Sequence, residues 1–255
     1  MFKKILLRAA KQAIFYLVLL FLWYFLFALK IWPAYIFPAP LMVWKALIQG
    51  FRTHIFINAI LISLFRVSIG FGISILFGAV LGILMKRSKI IDETFGRFVM
   101  GMQTLPSISW FPLAILWFGL SEMTIIFIAV MGSLFSITMS VYSGLKHIPS
   151  IYIQIARNMG SRRLKMLWLV LIPAAAPSLI VGLKQGWSFA WRSLIAGELL
   201  FVSLGLGYLL MMGRELNDIS QIIAVLFIII LISIAVDRIV FGIMESRMKK
   251  RWGFE

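Results

Sequence analysis

The fold of this chain is decided by an apolar run near its C-terminus, Ile219-Ser-Gln-Ile-Ile-Ala-Val-Leu-Phe-Ile-Ile-Ile-Leu-Ile-Ser-Ile-Ala-Val236. A helix needs about 20 apolar residues to cross a hydrocarbon core about 30 Å thick, and this run reaches that length when it is continued to Ile239. Inside a bilayer no water can bind the backbone N–H and C=O groups, so a spanning segment must be helical. The run therefore predicts a transmembrane helix over residues 219–239.

Five further apolar runs lie upstream of this segment. They cover about residues 13–29, 55–85, 98–118, 123–142 and 174–200. The whole chain is 62% hydrophobic and only 13% charged, whereas a soluble domain is about half apolar and a quarter charged. These observations exclude a water-soluble enzyme and predict an all-α, polytopic membrane protein with six transmembrane helices. We expect a single transmembrane domain over residues 1–255.

The basic residues predict the orientation of these spans. Of the 25 Lys and Arg residues, 17 lie in four clusters, at residues 3–11, 86–97, 146–165 and 247–251. All four clusters fall on one side of a six-span chain, and Lys and Arg gather on the cytoplasmic side of membrane proteins. We therefore expect both termini in the cytoplasm. The same bias accounts for the net charge of +16 without a nucleic-acid partner.

The sequence lacks the patterns that would carry catalysis or bind a cofactor. It has no cysteine, which excludes disulfides and thiolate metal sites. It has neither the Gly-x-x-x-x-Gly-Lys-[Ser/Thr] loop that binds nucleotide phosphates nor the His-Glu-x-x-His metal pattern. No catalytic residue, metal site or cofactor is therefore predicted. A self-sufficient secondary transporter or channel stays open as an alternative, although it would need a coupling-ion site and the chain has only nine acidic residues.

The most informative segment is the long basic connection over residues 146–173, between the fourth and fifth predicted spans. Pro149 followed by Ser150 is typical of a helix start. Gly160 lies where that short helix would end, and Pro173 is expected to stop a second helix that follows it. The pattern predicts two short helices joined at a glycine, an element that can dock into a groove of another protein.

This connection resembles the signature loop of the permeases of binding-protein-dependent ABC importers. In that loop Glu-Ala-Ala is followed after three residues by Gly, and after nine more by Ile-x-Leu-Pro. This chain has Gln154-Ile155-Ala156, Gly160 and Val170-Leu171-Ile172-Pro173 at the same spacing, with Gln154 and Ile155 as departures. The resemblance implies that the loop couples the permease to a cytoplasmic ATPase. The residues it assigns to coupling are Gln154, Ile155, Ala156, Arg157, Gly160, Arg162, Arg163 and Pro173.

Other segments are similar to the nitrate, sulfonate, taurine and bicarbonate branch of this family, with its type I importer fold. They are Phe37-Pro-Ala-Pro40, Ser63-Leu-Phe-Arg66, the run from Leu105-Pro106 to Gly119-Leu120, and Leu204-Gly-Leu-Gly207. The resemblance implies a bacterial or archaeal cytoplasmic membrane and a small anion or related small organic solute as substrate. The partners it implies are two ATP-binding subunits, an extracytoplasmic solute-binding protein and a second permease copy.

Charges on the fifth span indicate a route for an anion. Lys184 and Arg192 each lie one helical turn from Ser188, so the three residues share roughly one side. Unpaired charges in hydrocarbon are costly, so these side chains should face the interior or a water-filled cavity. The alternative is that these charges pair with a structural partner such as Glu198 or Asp237, or that their side chains extend to a membrane interface.

Prolines point to a second group of pathway residues. Pro106 and Pro112 are expected to break regular hydrogen bonding in the third span, and freed backbone is tolerated where it lines protein or a cavity. Glu198 lies near the outer end of the fifth span, where it could instead fix the turn around Gly205 and Gly207. The candidate pathway residues are Ser107, Ser109, Trp110, Lys184, Ser188, Arg192 and Glu198.

Overall fold

A computed structural model describes residues 2–161, 163–201 and 203–252, and the described elements are all helical. The helices are α1 Phe2–Ala28, α2 Pro40–Arg52, α3 Ile55–Arg87, α4 Lys89–Ile91, α5 Arg97–Thr104, α6 Phe111–Phe118, α7 Glu122–Lys146, α8 Ser150–Asn158, α9 Arg163–Met166, α10 Ile172–Leu199, α11 Leu206–Glu215, α12 Ile219–Val236 and α13 Gly242–Trp252. Within the described residues, five helices are long and apolar enough to cross a membrane, and a bent pair brings the number to six. The predicted all-α class is therefore confirmed.

Helix α7 is the centre of the bundle and packs against α3 on one side and α10 on the other. Small residues allow both contacts: a Cβ on Gly78 of α3 would lie 2.9 Å from Ile137 Cγ2, and one on Gly186 of α10 would lie 2.6 Å from Ile137 Cγ1. Spanning helices associate through such close packing because lipid gives them no hydrophobic driving force. The close contact between α3 and α7 continues at Gly82, where a Cβ would lie 2.8 Å from the Thr138 carbonyl oxygen.

The third predicted span is not one straight helix. Residues 89–104 and 107–118 form two helical arms that meet at an angle of 102°. The break falls at Leu105, whose backbone is extended at φ −73° and ψ 128°, because a proline at the next position disfavours helical geometry. Pro106 therefore breaks the span as predicted. The same prediction is wrong for Pro112, which lies in the first turn of α6, where its missing N–H has no partner to lose.

The predicted stop at Pro173 is also wrong. The chain passes from α9 through a π-helical turn, Leu167–Leu171, directly into α10, with Pro173 in the first turn of that helix. A proline ring clashes with the carbonyl four residues earlier in a regular α-helix, and the wider π turn relieves that geometry. The second part of the connection is therefore joined to the fifth span without a break in the helix.

A similar π-helical turn, Asp237–Phe241, continues α12 into α13. The helix of the sixth span therefore extends beyond its predicted end at residue 239.

Helix α1 stands at the edge of the bundle. The Trp23 indole nitrogen donates a hydrogen bond to the Pro38 carbonyl oxygen at 3.0 Å, and the Trp23 ring lies 6.2 Å from the ring of Phe227. Most of the other described side chains of α1 are exposed and apolar. Helices α3 and α7 end in Arg87 and Lys146. The end of the bundle where these two helices stop is called the basic end below.

Candidate functional site

The short helix of the basic connection, α8, begins at Ser150 as predicted and ends just before Gly160. Gly160 has a φ of +78°, a left-handed conformation that glycine adopts without steric cost. Its N–H donates to the Arg157 carbonyl oxygen at 2.9 Å, and the Ser161 N–H donates to the Ala156 carbonyl oxygen at 2.9 Å. These two bonds form a Schellman motif. A Cβ on Gly160 would meet nothing within 4 Å, so the turn requires glycine for its backbone conformation and not for close packing.

One side of α8 is apolar and exposed. Ile151, Ile155 and Met159 follow one another at intervals of four residues, and their exposed fractions are 54%, 49% and 80%. Residues four apart lie on one face of a helix, so these three side chains form a continuous surface, the α8 apolar face. Ala156 is buried towards the bundle, with 5% exposed. The helix thus rests on the bundle by one side and presents an apolar side away from it.

The predicted coupling residues differ in exposure, and some of them lie outside α8. Gln154, Ile155 and Arg157 are exposed, whereas Ala156 is buried. Arg162 lies outside the described residues, Arg163 begins α9, and Pro173 is half-buried in α10.

The bend of the third span forms one wall of a cavity of about 360 Å³ between α7 and α10. Ser107, Arg192 and Ser193 are among the residues that line it. The Ser193 hydroxyl donates a hydrogen bond to the Ser107 hydroxyl at 2.6 Å. The Arg192 guanidinium donates from Nε to the Ser188 carbonyl oxygen at 3.1 Å and lies 4.9 Å from the ring of Phe189. This bend cavity therefore contains a positive charge beside two hydroxyl groups, a combination that suits an anion.

A second cavity, of about 570 Å³, extends along α7 and α10 and shares Gln103 with the first. Its polar lining residues are Gln103, Ser136, Ser140, Ser143, Ser178 and Gln185. This serine cavity was not predicted from the sequence. The signal was present, because serines at positions 136, 140 and 143 follow the spacing that places side chains on one face of a helix. Together the two cavities give a polar surface from the bend towards the basic end.

Lys184, Ser188 and Arg192, which were predicted to share roughly one side of the fifth span, line two different cavities. Lys184 and Ser188 line a separate cavity with Asp237, whereas Arg192 lines the bend cavity. Positions eight apart on a helix differ by about 80° around its axis and about 12 Å along it. The alternative for Lys184 is confirmed: its Nζ lies 2.9 Å from Asp237 Oδ1 and 3.6 Å from Glu245 Oε1. Two other pathway candidates, Ser109 and Trp110, do not belong to the described lining of the bend cavity.

Glu198 belongs to a buried cluster of polar side chains on α3, α7 and α10, here called the buried cluster. Its carboxylate accepts hydrogen bonds from Arg66 Nη1 at 2.9 Å, from the Ser63 hydroxyl at 2.8 Å and from the Gly207 N–H at 3.0 Å. Arg66 Nη2 also donates to Glu122 Oε1 at 2.7 Å. The interpretation that Glu198 fixes the turn before α11 is confirmed. Since its side chain is fully buried, its position does not support a role in the pathway.

Comparisons with known proteins agree with this architecture. Residues 74–250 match the family model described as a binding-protein-dependent transport system inner membrane component. A protein described as an ABC transporter permease of Methanocaldococcus jannaschii is 35% identical over 80% of this chain and 78% of its own length. The taurine transport system permease of Escherichia coli is 26% identical over 86% of this chain and 82% of its own. The nitrate import permease of a Synechocystis strain is 27% identical over 72% of this chain and 66% of its own.

Proposed function

This chain belongs to the family of binding-protein-dependent transport system inner membrane components, and on that premise we propose that it moves a small anion through the bend cavity when ATPase partners act on α8. As a family member it is a transport subunit of an inner membrane and a permease of an ABC importer. The family also implies ATP-binding and substrate-binding partners in general. Their number, the surfaces they contact and the solute that moves are the parts proposed here.

The observation that carries the coupling role is the α8 apolar face. An exposed row of apolar side chains on a short helix is the kind of surface that docks into a groove of a partner. Two cytoplasmic ATP-binding subunits are the partners, one for each of two permease copies. Residues 146–173 form the coupling loop, and the unbroken helical passage from α9 into α10 supports transmission of a push on α8 to the fifth span.

The proposed complex is a homodimer of this chain with both termini in the cytoplasm. Arg192 and Gln103 are exposed although they line the two polar cavities, so a second copy facing this surface would complete an enclosed route. Most oligomers of identical chains close by such a two-fold contact. The extracytoplasmic solute-binding protein would deliver substrate at the end opposite α8. The basic residues at the α8 end support this orientation.

The bend cavity supports a small anion as the substrate. Arg192 would attract its charge, and the hydroxyls of Ser107 and Ser193 would donate hydrogen bonds to its oxygens. Gln103 and the serine cavity would then offer polar contacts towards the cytoplasm. An aliphatic sulfonate, taurine, nitrate or bicarbonate fits this chemistry, and two of the relatives are named for taurine and nitrate. Lys184 is not part of this route because Asp237 already neutralises it.

Uptake by vesicles that contain the chain, its ATPase and its solute-binding protein tests this proposal. We expect ATP-dependent uptake of taurine or nitrate, a large loss with Arg192→Gln, and a smaller change with Lys184→Gln as the matched control. Equal uptake by both variants would contradict the anion route. Uptake that persists without ATP and without the ATPase would favour a self-sufficient transporter or channel instead.

A further inference from the structure

The largest of the cavities described here lies behind α8, outside the proposed substrate route. It is an open cavity with a volume of about 1180 Å³, lined by the end of α3, the end of α7, α8 and the π-helical turn before α10. Its lining divides into a basic part and an apolar part. Neither part is explained by ATPase docking, because the α8 apolar face points away from the bundle while this cavity lies between α8 and the bundle.

The basic part consists of Lys86, Arg87 and Arg157. Lys86 and Arg87 end α3, and Arg157 comes from α8. All three residues are exposed, and the described lining of the cavity holds no Asp or Glu. Like charges that converge on one cavity repel one another and attract counter-ions. This part of the cavity is therefore complementary to a group with negative charge.

The apolar part lies one helical turn deeper along α3. Ile83 precedes Lys86 and Arg87 by three and four residues, so the three share a face with the apolar residue farther from the helix end. Leu145, only 5% exposed, and Leu171 complete this wall. The cavity thus changes from apolar to cationic in the direction that leads from the bundle interior to its basic end. A diacyl phospholipid has the matching order of acyl chain and phosphate.

We infer that this cavity binds one anionic phospholipid, with its phosphate at Lys86, Arg87 and Arg157 and part of an acyl chain against Ile83, Leu145 and Leu171. Basic pockets between helices on the cytoplasmic side of a membrane are typical sites for anionic headgroups. The volume, about 1180 Å³, exceeds the range of about 300–1000 Å³ of small-molecule sites, and a free phosphate ion would leave the apolar wall unfilled. The bound lipid would support α8 from behind. That mechanical consequence rests on the proposed function, whereas the binding itself does not.

Lipid binding can be measured on the purified chain without any partner. The chain in detergent is titrated with phosphatidylglycerol, and the bound lipids are counted by native mass spectrometry. Lys86→Gln/Arg87→Gln should weaken the tightest binding event about thirtyfold, the equivalent of about 2 kcal/mol, since each basic residue near an anionic lipid contributes about 1 kcal/mol. Lys45→Gln/Arg52→Gln removes the same residue types from the exposed side of α2 and should leave the affinity unchanged.

Two further arms identify the occupant. Phosphatidylcholine should bind more weakly than phosphatidylglycerol, and excess inorganic phosphate should not displace the lipid. A phosphatidylglycerol with a photoactivatable acyl chain should cross-link to peptides that contain Ile83, Leu145 or Leu171. Equal affinity of the two double variants, equal binding of the two lipids, or cross-links confined to α1 and α12 would each overturn the proposal. Displacement by inorganic phosphate would assign the cavity to a free anion, and loss of the lipid on ATPase binding would assign it to that partner.

Discussion

The buried cluster and the α8 apolar face place charged and apolar side chains in opposite surroundings. Arg66 and Glu198 are charged, yet their side chains are 1% and 0% exposed. Met159 at the end of α8 is apolar, yet 80% of it is exposed. Each charged group of the cluster has its partners within this chain, because Arg66 donates to Glu198, Glu122, Ser203 and the Leu204 carbonyl oxygen. The apolar face has no such cover among the described residues.

This difference indicates that the buried cluster stabilises the fold, whereas the α8 apolar face serves binding to a partner. A buried ion pair is costly to break because the remaining charge is left without a partner, so the cluster holds the turn before α11 in place. An exposed apolar face on a helix adds little to the fold of its own chain, and its contact energy is available to another protein. The two regions should therefore respond differently to substitution.

The largest expected effect on stability comes from the buried cluster. Glu198→Gln would remove the buried one of the two carboxylates that contact Arg66 and should lower the free energy of unfolding by about 3 kcal/mol. Glu122→Gln removes the other carboxylate, whose side chain is 58% exposed, and should cost less than about 1 kcal/mol. Thermal unfolding in detergent, followed by tryptophan fluorescence, measures both. A similar loss for the two variants would show that burial does not set the cost.

A close approach within the buried cluster predicts an intermediate effect. A Cβ on Gly207 would lie 2.6 Å from Glu198 Cβ and 2.6 Å from the Ile195 carbonyl oxygen. Gly207→Ala should therefore destabilise by about 1–3 kcal/mol through overpacking. Gly72→Ala serves as the control, because a Cβ on Gly72 would meet nothing within 4 Å. If the same unfolding measurement gives both variants wild-type stability, the packing around Gly207 is looser than described.

A smaller effect on stability than at Gly207 is expected at the end of α8. Gly160→Ala meets no neighbour but places an alanine at φ +78°, which costs about 1 kcal/mol. Gly160→Asn should cost less, since asparagine is tolerated at this position of a Schellman motif. Both variants should unfold close to the wild-type temperature, with the alanine variant the less stable of the two. Both should also bind the ATPase. Stronger loss with asparagine than with alanine would exclude backbone conformation as the reason for glycine.

Local patterns predicted the parts of the structure that depend on local chemistry. The apolar runs predicted the spans, and Pro149 and Gly160 predicted both ends of α8, because helix starts and stops are set by backbone chemistry within a few residues. Pro106 predicted the break in the third span for the same reason. The error at Pro173 arose because a π-helical turn, which no local residue announces, precedes that proline.

Contacts between distant residues could not be derived in this way. Arg66 and Glu198 are 132 residues apart. A single sequence shows that both residues are charged, but it does not show that they are in contact. The pairing of Lys184 likewise depends on the π-helical turn after α12, which brings Asp237 to Lys184. The serine cavity is different, because the helical spacing of its serines on α7 is visible in the sequence. Predicting the cavity required only the further knowledge that α10 faces these serines.

Co-purification with the ATPase tests the assignment of α8 most directly. Met159→Glu places a charge on the α8 apolar face, and Met123→Glu changes a methionine that is 64% exposed at the start of α7, the opposite end of that helix from the α8 connection. Both variants should fold, because neither side chain is buried. We predict that the wild type and Met123→Glu retain the ATPase in detergent. Met159→Glu should retain at least tenfold less, because Met159 is the most exposed residue of the α8 apolar face and losing a hot-spot contact costs about 2 kcal/mol or more. Equal retention by the two variants would show that the ATPase docks elsewhere.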